Sequence, residues 1–241
     1  MNIRSFFDET SRRRRKDNTK LGPGAVEPGA SAAHLKTYEA YGRVPVIHAS
    51  ALIHETAVLI GEVHIGADCY IGPHSVCRAD QGSIVIEAGT SLQDGCIVHT
   101  QRNGRVVVGE FGQIGHGAML HGCTLGRNVL IGMGAIVLDD AVIEDDAMVG
   151  AGTLVTSHQR VPARMIVKGN PGKVSRAVTD TELAHKREIT MQYVAFARSG
   201  VGIQRAPAHI VGSREPACEV PAPKRLDGGQ RGRTPNASPS R

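Results

Sequence analysis

The chain has no tryptophan, and aromatic residues make up only 3% of it. Aromatics supply much of the buried area of an ordinary globular core. A broad core of that kind is therefore excluded, and the interior must be built from Val, Ile, Leu and Ala, which suit a narrow one. Long apolar runs are missing too: none approaches the roughly 18 residues that cross a bilayer as a helix, so no membrane partner is expected. The five cysteines (Cys69, Cys77, Cys96, Cys123 and Cys218) include no CxxC pair. With an odd count and no secretory leader, they read as reduced thiols in a cytoplasmic protein. The formal net charge is +5, but residues 1–20 and 199–241 carry +4 each, leaving −3 for residues 21–198. The basicity belongs to the two ends, and the body is not a nucleic-acid surface.

Glycine, by contrast, is abundant at 29 residues, and it accompanies a six-residue period. Inward aliphatics fall at Ile53, Leu59, Ile65, Ile71 and Cys77, then at Ile86, Leu92 and Val98, then at Val108, Ile114 and Leu120. After a one-residue slip they run from Leu125 through Ile131, Val137, Ile143 and Val149 to Val155. Glycine often comes next (Gly66, Gly72, Gly115, Gly132), and a small residue sits four after the aliphatic (Ala57, Ser75, Ala118, Ala135). A period of six keeps no single face of a 3.6-residue helix. It predicts a parallel β-helix of triangular section, three short strands to a coil, with glycine admitting unusual backbone angles at the corners. Seventeen hexads make between five and six coils.

Four regions follow. Residues 1–45, with the SRRRRK run, read as a mostly disordered extension, and 46–167 as the β-helix. Residues 168–198 hold the KGNPGK turn and a C-terminal helix packed on the coil. That helix opens on a capping box, Thr179-Asp-Thr-Glu182, and offers Leu183, Ile189, Tyr193 and Phe196 as its apolar side. The Gly/Pro/Arg-rich residues 199–241 read as a disordered basic tail.

One coil is 18 residues, so side chains 18 apart, once insertions are removed, stack on one edge. Three residues are inserted between Cys77 and Ile86, and four between Val98 and Val108. Corrected, Arg78, His99 and His121 form one column. His116, two after Ile114, falls on a different face above Asp94, with Gln93 alongside. One rigid coil does not join these half-sites; a threefold trimer, each face meeting its neighbour's, does so three times. Each histidine alone has a surface or turn reading, which is retained for His54, His64, His74 and His158. Together, His99, His116 and His121 point to a shared Zn²⁺, or Fe²⁺ or Co²⁺, with a position open for water or substrate. Such an ion generates hydroxide near neutral pH. Gln93 is placed to orient it, and Asp94 and Arg78 to pair across the interface; Arg78 and Asp80 also read as an interface salt bridge. Cys77 and Cys96 read as core, not as nucleophiles.

The motifs CRADQG (Cys77–Gly82), LQDGCIVH (Leu92–His99) and GHGAMLHGC (Gly115–Cys123) resemble the γ-class carbonic anhydrase-like left-handed β-helix proteins over about residues 45–198. The loop after His99, the KGNPGK turn and TDTELAHKRE look most like the branch found with phenylacetate degradation and carnitine metabolism. The resemblance implies a homotrimer with a metal at each interface, held by His99, His116 and His121. Arg78, Asp80, Gln93 and Asp94 accompany it as catalytic-site polar residues. Two departures bear on the chemistry: Gln81 stands where the archetypal anhydrase has glutamate, and Gln101–Arg105 contains no acid to shuttle protons. Four functions follow: hydration of CO₂ to bicarbonate by metal hydroxide, hydrolysis of an acyl-CoA thioester by the same hydroxide, CoA-dependent acyl transfer with a histidine base, and a catalytically silent trimer.

Overall fold

Successive coils are paired residue by residue, and that pairing decides where every side chain goes. The computed structural model describes residues 35–199. Ile53, Ile71, Leu92, Ile114, Ile131, Val149 and Val167 lie in register on one face. Leu59, Cys77, Val98, Leu120, Val137 and Val155 lie on the second. Ile47, Ile65, Ile86, Val108, Leu125, Ile143 and Val161 lie on the third. These three columns form one continuous apolar core, and the chain is a left-handed parallel β-helix of about seven turns with a helix on its side. That exceeds the five to six coils expected, because the period continues past Val155 through Val161 and Val167 and the third face already holds Ile47. A further strand, Lys36–Tyr38, pairs with Val58–Ile60 ahead of residue 46. The SRRRRK run and the basic tail lie outside the described residues.

The corner glycines are of two kinds. The residue with positive φ is the third after most inward aliphatics: a glycine, as expected, at Gly89, Gly95, Gly117, Gly134 and Gly152, but a larger residue at Asp68, His74, Phe111, Asn128 and His158. The glycine directly after the aliphatic is required by proximity instead. A Cβ on Gly66 would sit 2.8 Å from the Ala88 backbone nitrogen, and one on Gly132 2.4 Å from that of Ala151. Glycine lets neighbouring coils touch at their edges. His74 and His158 are ordinary members of the left-handed turn series.

The last inward strand, Met165–Lys168, turns back as Lys173–Ala177 through KGNPGK and leads into helix α1, Asp180–Ser199. The capping box forms: Thr179 N donates to Glu182 Oε2 at 2.9 Å, and Glu182 N donates to Thr179 Oγ1 at 3.2 Å. The buried stripe of α1 is Leu183, Lys186, Thr190, Val194 and Ala197, so Ile189, Tyr193 and Phe196 only flank it, half-buried. Tyr70 stacks its ring 5.4 Å from both Tyr193 and Phe196. Lys186 is the surprise. Its Nζ donates to Asn128 Oδ1 at 2.7 Å and to the Phe111 carbonyl, two residues in left-handed corner turns. Desolvation pushes this amine down to about 7, with Asp146 opposing and Arg187 adding to the shift.

A folded-state value near 7 against 10.5 for the free side chain means that the unfolded chain holds the extra proton between those limits. Lys186 therefore costs less stability as pH rises through that window. Urea unfolding of wild type and Lys186→Met should give a stability difference that shifts in favour of wild type from pH 7 towards 9, where cysteine ionisation begins. A pH-independent difference would contradict it.

Candidate metal centre

The register places Arg78 beside His99 and His99 beside His121, as Cα partners in successive coils. His99 Nδ1 lies 3.0 Å from His121 Nε2, with ring centroids 5.0 Å apart. His121 Nδ1 is 2.7 Å from Asp139 Oδ1. A carboxylate accepts only, so Nδ1 of His121 carries the proton and its Nε2 is the acceptor facing His99 Nδ1, the lone pair an ion would take up in place of that contact. Carboxylate support of this kind is typical behind a metal-bound imidazole. Asp139 was not among the expected residues, although it lies 18 after His121 and the coil arithmetic would have found it.

On the other side of His99, Nε2 lies 3.5 Å from Asp80 Oδ1, and Arg78 Nη1 donates to Asp80 Oδ2 at 2.7 Å. Burial works against the Asp80 charge, but the Arg78 guanidinium outweighs it and holds the carboxyl below its ordinary range. Asp80 Oδ1 is a buried oxygen with no hydrogen bond: at 3.5 Å the His99 contact is electrostatic, not a formed bond. His99 itself is held below 6.5, first by desolvation, then by the charges of Arg78 and His121. An imidazole pair with a carboxylate behind one ring and an unpaired carboxylate oxygen beside the other suits a divalent cation of borderline softness.

His116 and His121 flank one strand, Met119–His121, His116 in the turn before it and His121 at its end. The Gly115–Ala118 turn and a three-residue strand separate the two imidazoles along the chain. Among the described residues, no three of His, Cys, Asp and Glu converge on a metal. His116 sits in the corner turn between the Gln113–Ile114 strand and the Met119–His121 strand, with Gln93 following the strand paired to the first, whereas His99 and His121 end strands of the second. Asp94 lies beneath His116 as expected, its Oδ2 3.5 Å from Nδ1. Gln93 is buried, and its backbone carbonyl accepts from Ser75 Oγ at 2.9 Å. Within the chain Arg78 is taken by Asp80 rather than by Asp94. The cysteines are core: burial pushes Cys77, Cys96 and Cys123 up to about 12, so none is a nucleophile near neutral pH.

The bacterial transferase hexapeptide model matches residues 45–79 and 122–157. The carnitine operon protein CaiE of Salmonella agona is 45% identical over 163 residues, 68% of this chain and 82% of that protein. The chain belongs to this hexapeptide-repeat family. CaiE of Escherichia coli K12 is 44% identical over 159 residues, 66% of this chain and 81% of the relative. A crystal structure of a hexapeptide transferase family protein from Anaplasma phagocytophilum superposes with a TM-score of 0.66 at 36% identity, covering 69% of this chain and 98% of that one. The carnitine branch of the resemblance is met. No helix among the described residues is long and apolar enough to cross a membrane.

In metal-free protein, an NMR titration should place the His99 midpoint below 6.5, and Arg78→Gln should raise it by removing a nearby cation. A midpoint that stays put in the variant would mean that Arg78 is not the source.

Proposed function

We propose that this protein is a metal-dependent, γ-carbonic anhydrase-like enzyme acting as a homotrimer, adding hydroxide to a small carbonyl substrate such as CO₂. The single observation that carries the reading is the His99–His121 pair, backed by Asp139, at one edge of the face whose other edge bears His116. Along that face runs an outward apolar stripe in strict register: Val58, Val76, Ile97, Met119, Ile136 and Leu154. Ile97 is 43% exposed, and Met119 and Ile136 are each 37% exposed. A second copy of the chain would bury this stripe and carry its own His116 to the pair.

In that assembly His99 and His121 of one subunit and His116 of the next hold the ion, Zn²⁺ for preference. When bound there, the ion would supply hydroxide at neutral pH and polarise the carbonyl. Asp139 keeps His121 in the tautomer that offers Nε2. Arg78 keeps Asp80 ionised, so that Oδ1 can accept a proton-bearing group beside His99. The Gln93 amide is positioned to donate to one oxygen and accept from another. Gln81 and the Gln101–Arg105 loop provide no acid, so protons leave through buffer. Four buried free thiols are compatible with a reducing, cytoplasmic compartment.

Thioester hydrolysis of an acyl-CoA is the second reading, favoured by a cleft of about 470 Å³ lined in part by Asp80, far more room than CO₂ needs. Acyl transfer, which the transferase names of relatives favour, would survive metal removal.

Purified protein should contain one metal per chain, lose it in His116→Ala, and lose CO₂ hydration or thioester hydrolysis on chelation. Asp139→Asn should lower metal affinity about 10–100-fold while leaving the trimer intact, as read by metal titration and light scattering. Any anhydrase rate should climb with buffer concentration. Full metal content in His116→Ala would sink the shared site, and activity untouched by chelation would favour transfer.

A further inference from the structure

The corner after His121 is shorter than the one stacked on it. Leu120 and Leu125 are five positions apart, whereas their partners in the next coil, Val137 and Ile143, are six apart. The left-handed residue of this corner therefore comes second after the aliphatic, at Gly122 with φ 57°, and not third. Its backbone is held from both sides: Gly122 N donates to the His99 carbonyl at 3.1 Å, and Asp140 N donates to the Gly122 carbonyl at 2.9 Å.

A positive φ does not by itself demand glycine in this fold. Asp68, His74, Asn128 and Asp140 hold a similar angle at other corners, and a Cβ on Gly134 or Gly152 would meet nothing within 4 Å. Gly122 is different. A Cβ there would collide with Asp139 Oδ1, and it would lie 3.1 Å from Asp139 Cγ and 3.3 Å from Asp139 Cα. Oδ1 is the oxygen that sits 2.7 Å from His121 Nδ1. At Gly66 and Gly132 the nearest obstacle is the backbone of the next coil; at Gly122 it is the carboxylate that supports a histidine. The end of a side chain can swing aside, so a substitution here is relieved at the expense of the His121 contact rather than of the coil.

We propose that Gly122 is a positioning residue: its missing side chain leaves the space from which Asp139 fixes the His121 ring, and with it the Nε2 lone pair presented to an ion. The part concerning the ion rests on reading His121 as a metal ligand. A Cβ at this position displaces the carboxylate, His121 Nδ1 loses its acceptor, and the ring is no longer committed to one tautomer.

The test compares full-length Gly122→Ala with Asp139→Ala and with Gly152→Ala, which has a comparable positive φ of 64° but no contact for the new methyl. In metal-free, nitrogen-15-labelled protein at alkaline pH, the His121 ring couplings should place the proton on Nδ1 in wild type and Gly152→Ala. In Gly122→Ala they should shift towards Nε2. Zinc titration should show binding about 10–100-fold weaker in Gly122→Ala, the loss expected when the partner behind a metal-bound imidazole is removed. In an Asp139→Ala background the same substitution should cost no further affinity, because the two changes remove one interaction. A proton that stays on Nδ1 in Gly122→Ala overturns the proposal, as does an affinity loss of equal size with and without Asp139. If wild type binds no zinc, the metal-centre reading fails, while the ring couplings still decide the role of Gly122. Should Gly122→Ala not fold, the double variant with Asp139→Ala decides: recovery of the fold supports the collision, and failure to recover overturns it.

Discussion

Parallel hydrogen bonding between successive coils is the constraint on which the rest depends. Most strands are short, many of only two residues, and would not be stable alone. Stability comes from stacking, which gives every backbone group on three faces a partner above and below. The consequence is positional: a side chain's height and face are set by counting. Two imidazoles 22 residues apart meet at 3.0 Å because the ladder leaves them no other place.

The ladder also decides where variation is allowed. Insertions cannot enter a face without breaking pairing, so they bulge at corners, and here both bulge at the same one. That corner carries Asp80, Gln81 and Arg102 and adjoins His99. The regular part of the prism holds the metal-ligand candidates rigidly, and the irregular part beside them supplies shape and charge. This division is the familiar one between scaffold and functional loop, compressed into a single edge.

How much of this was legible follows from the same geometry. The period exposes itself because the core is one residue wide per strand, so Ile114 and its column could be placed by counting, and the Arg78–His99–His121 stack followed once the insertions were removed. Counting did not reveal why glycine follows the aliphatic. That depends on the distance between coils, which Gly132 shows and sequence spacing does not. The buried face of α1 was only half visible, because Lys186 is charged in any hydropathy reading and its partners, Asn128 and the Phe111 carbonyl, are distant in sequence. Tyr41 and Arg43 were hidden for another reason: they precede the repeat, and the Arg43 hydrogen bond to the Gly82 carbonyl brings their turn to the corner.

The spacing of the two half-sites has a physical logic of its own. His116 and His121 are separated by the width of a face, so the ion they are proposed to share has to lie between chains. A prism face is flat and apolar, with Ile97 and Met119 exposed along it, and burying such a stripe favours association by hydrophobic contact alone. Ligands at the two edges then convert that non-directional attraction into a defined rotation, because only one relative orientation brings a histidine from each edge to the same point. In the proposed ring of three, each chain gives its histidine pair to one neighbour and its His116 to the other, so every half-site is used. Assembly and chemistry on this reading are one requirement, met by placing imidazoles where the strand begins and where it ends.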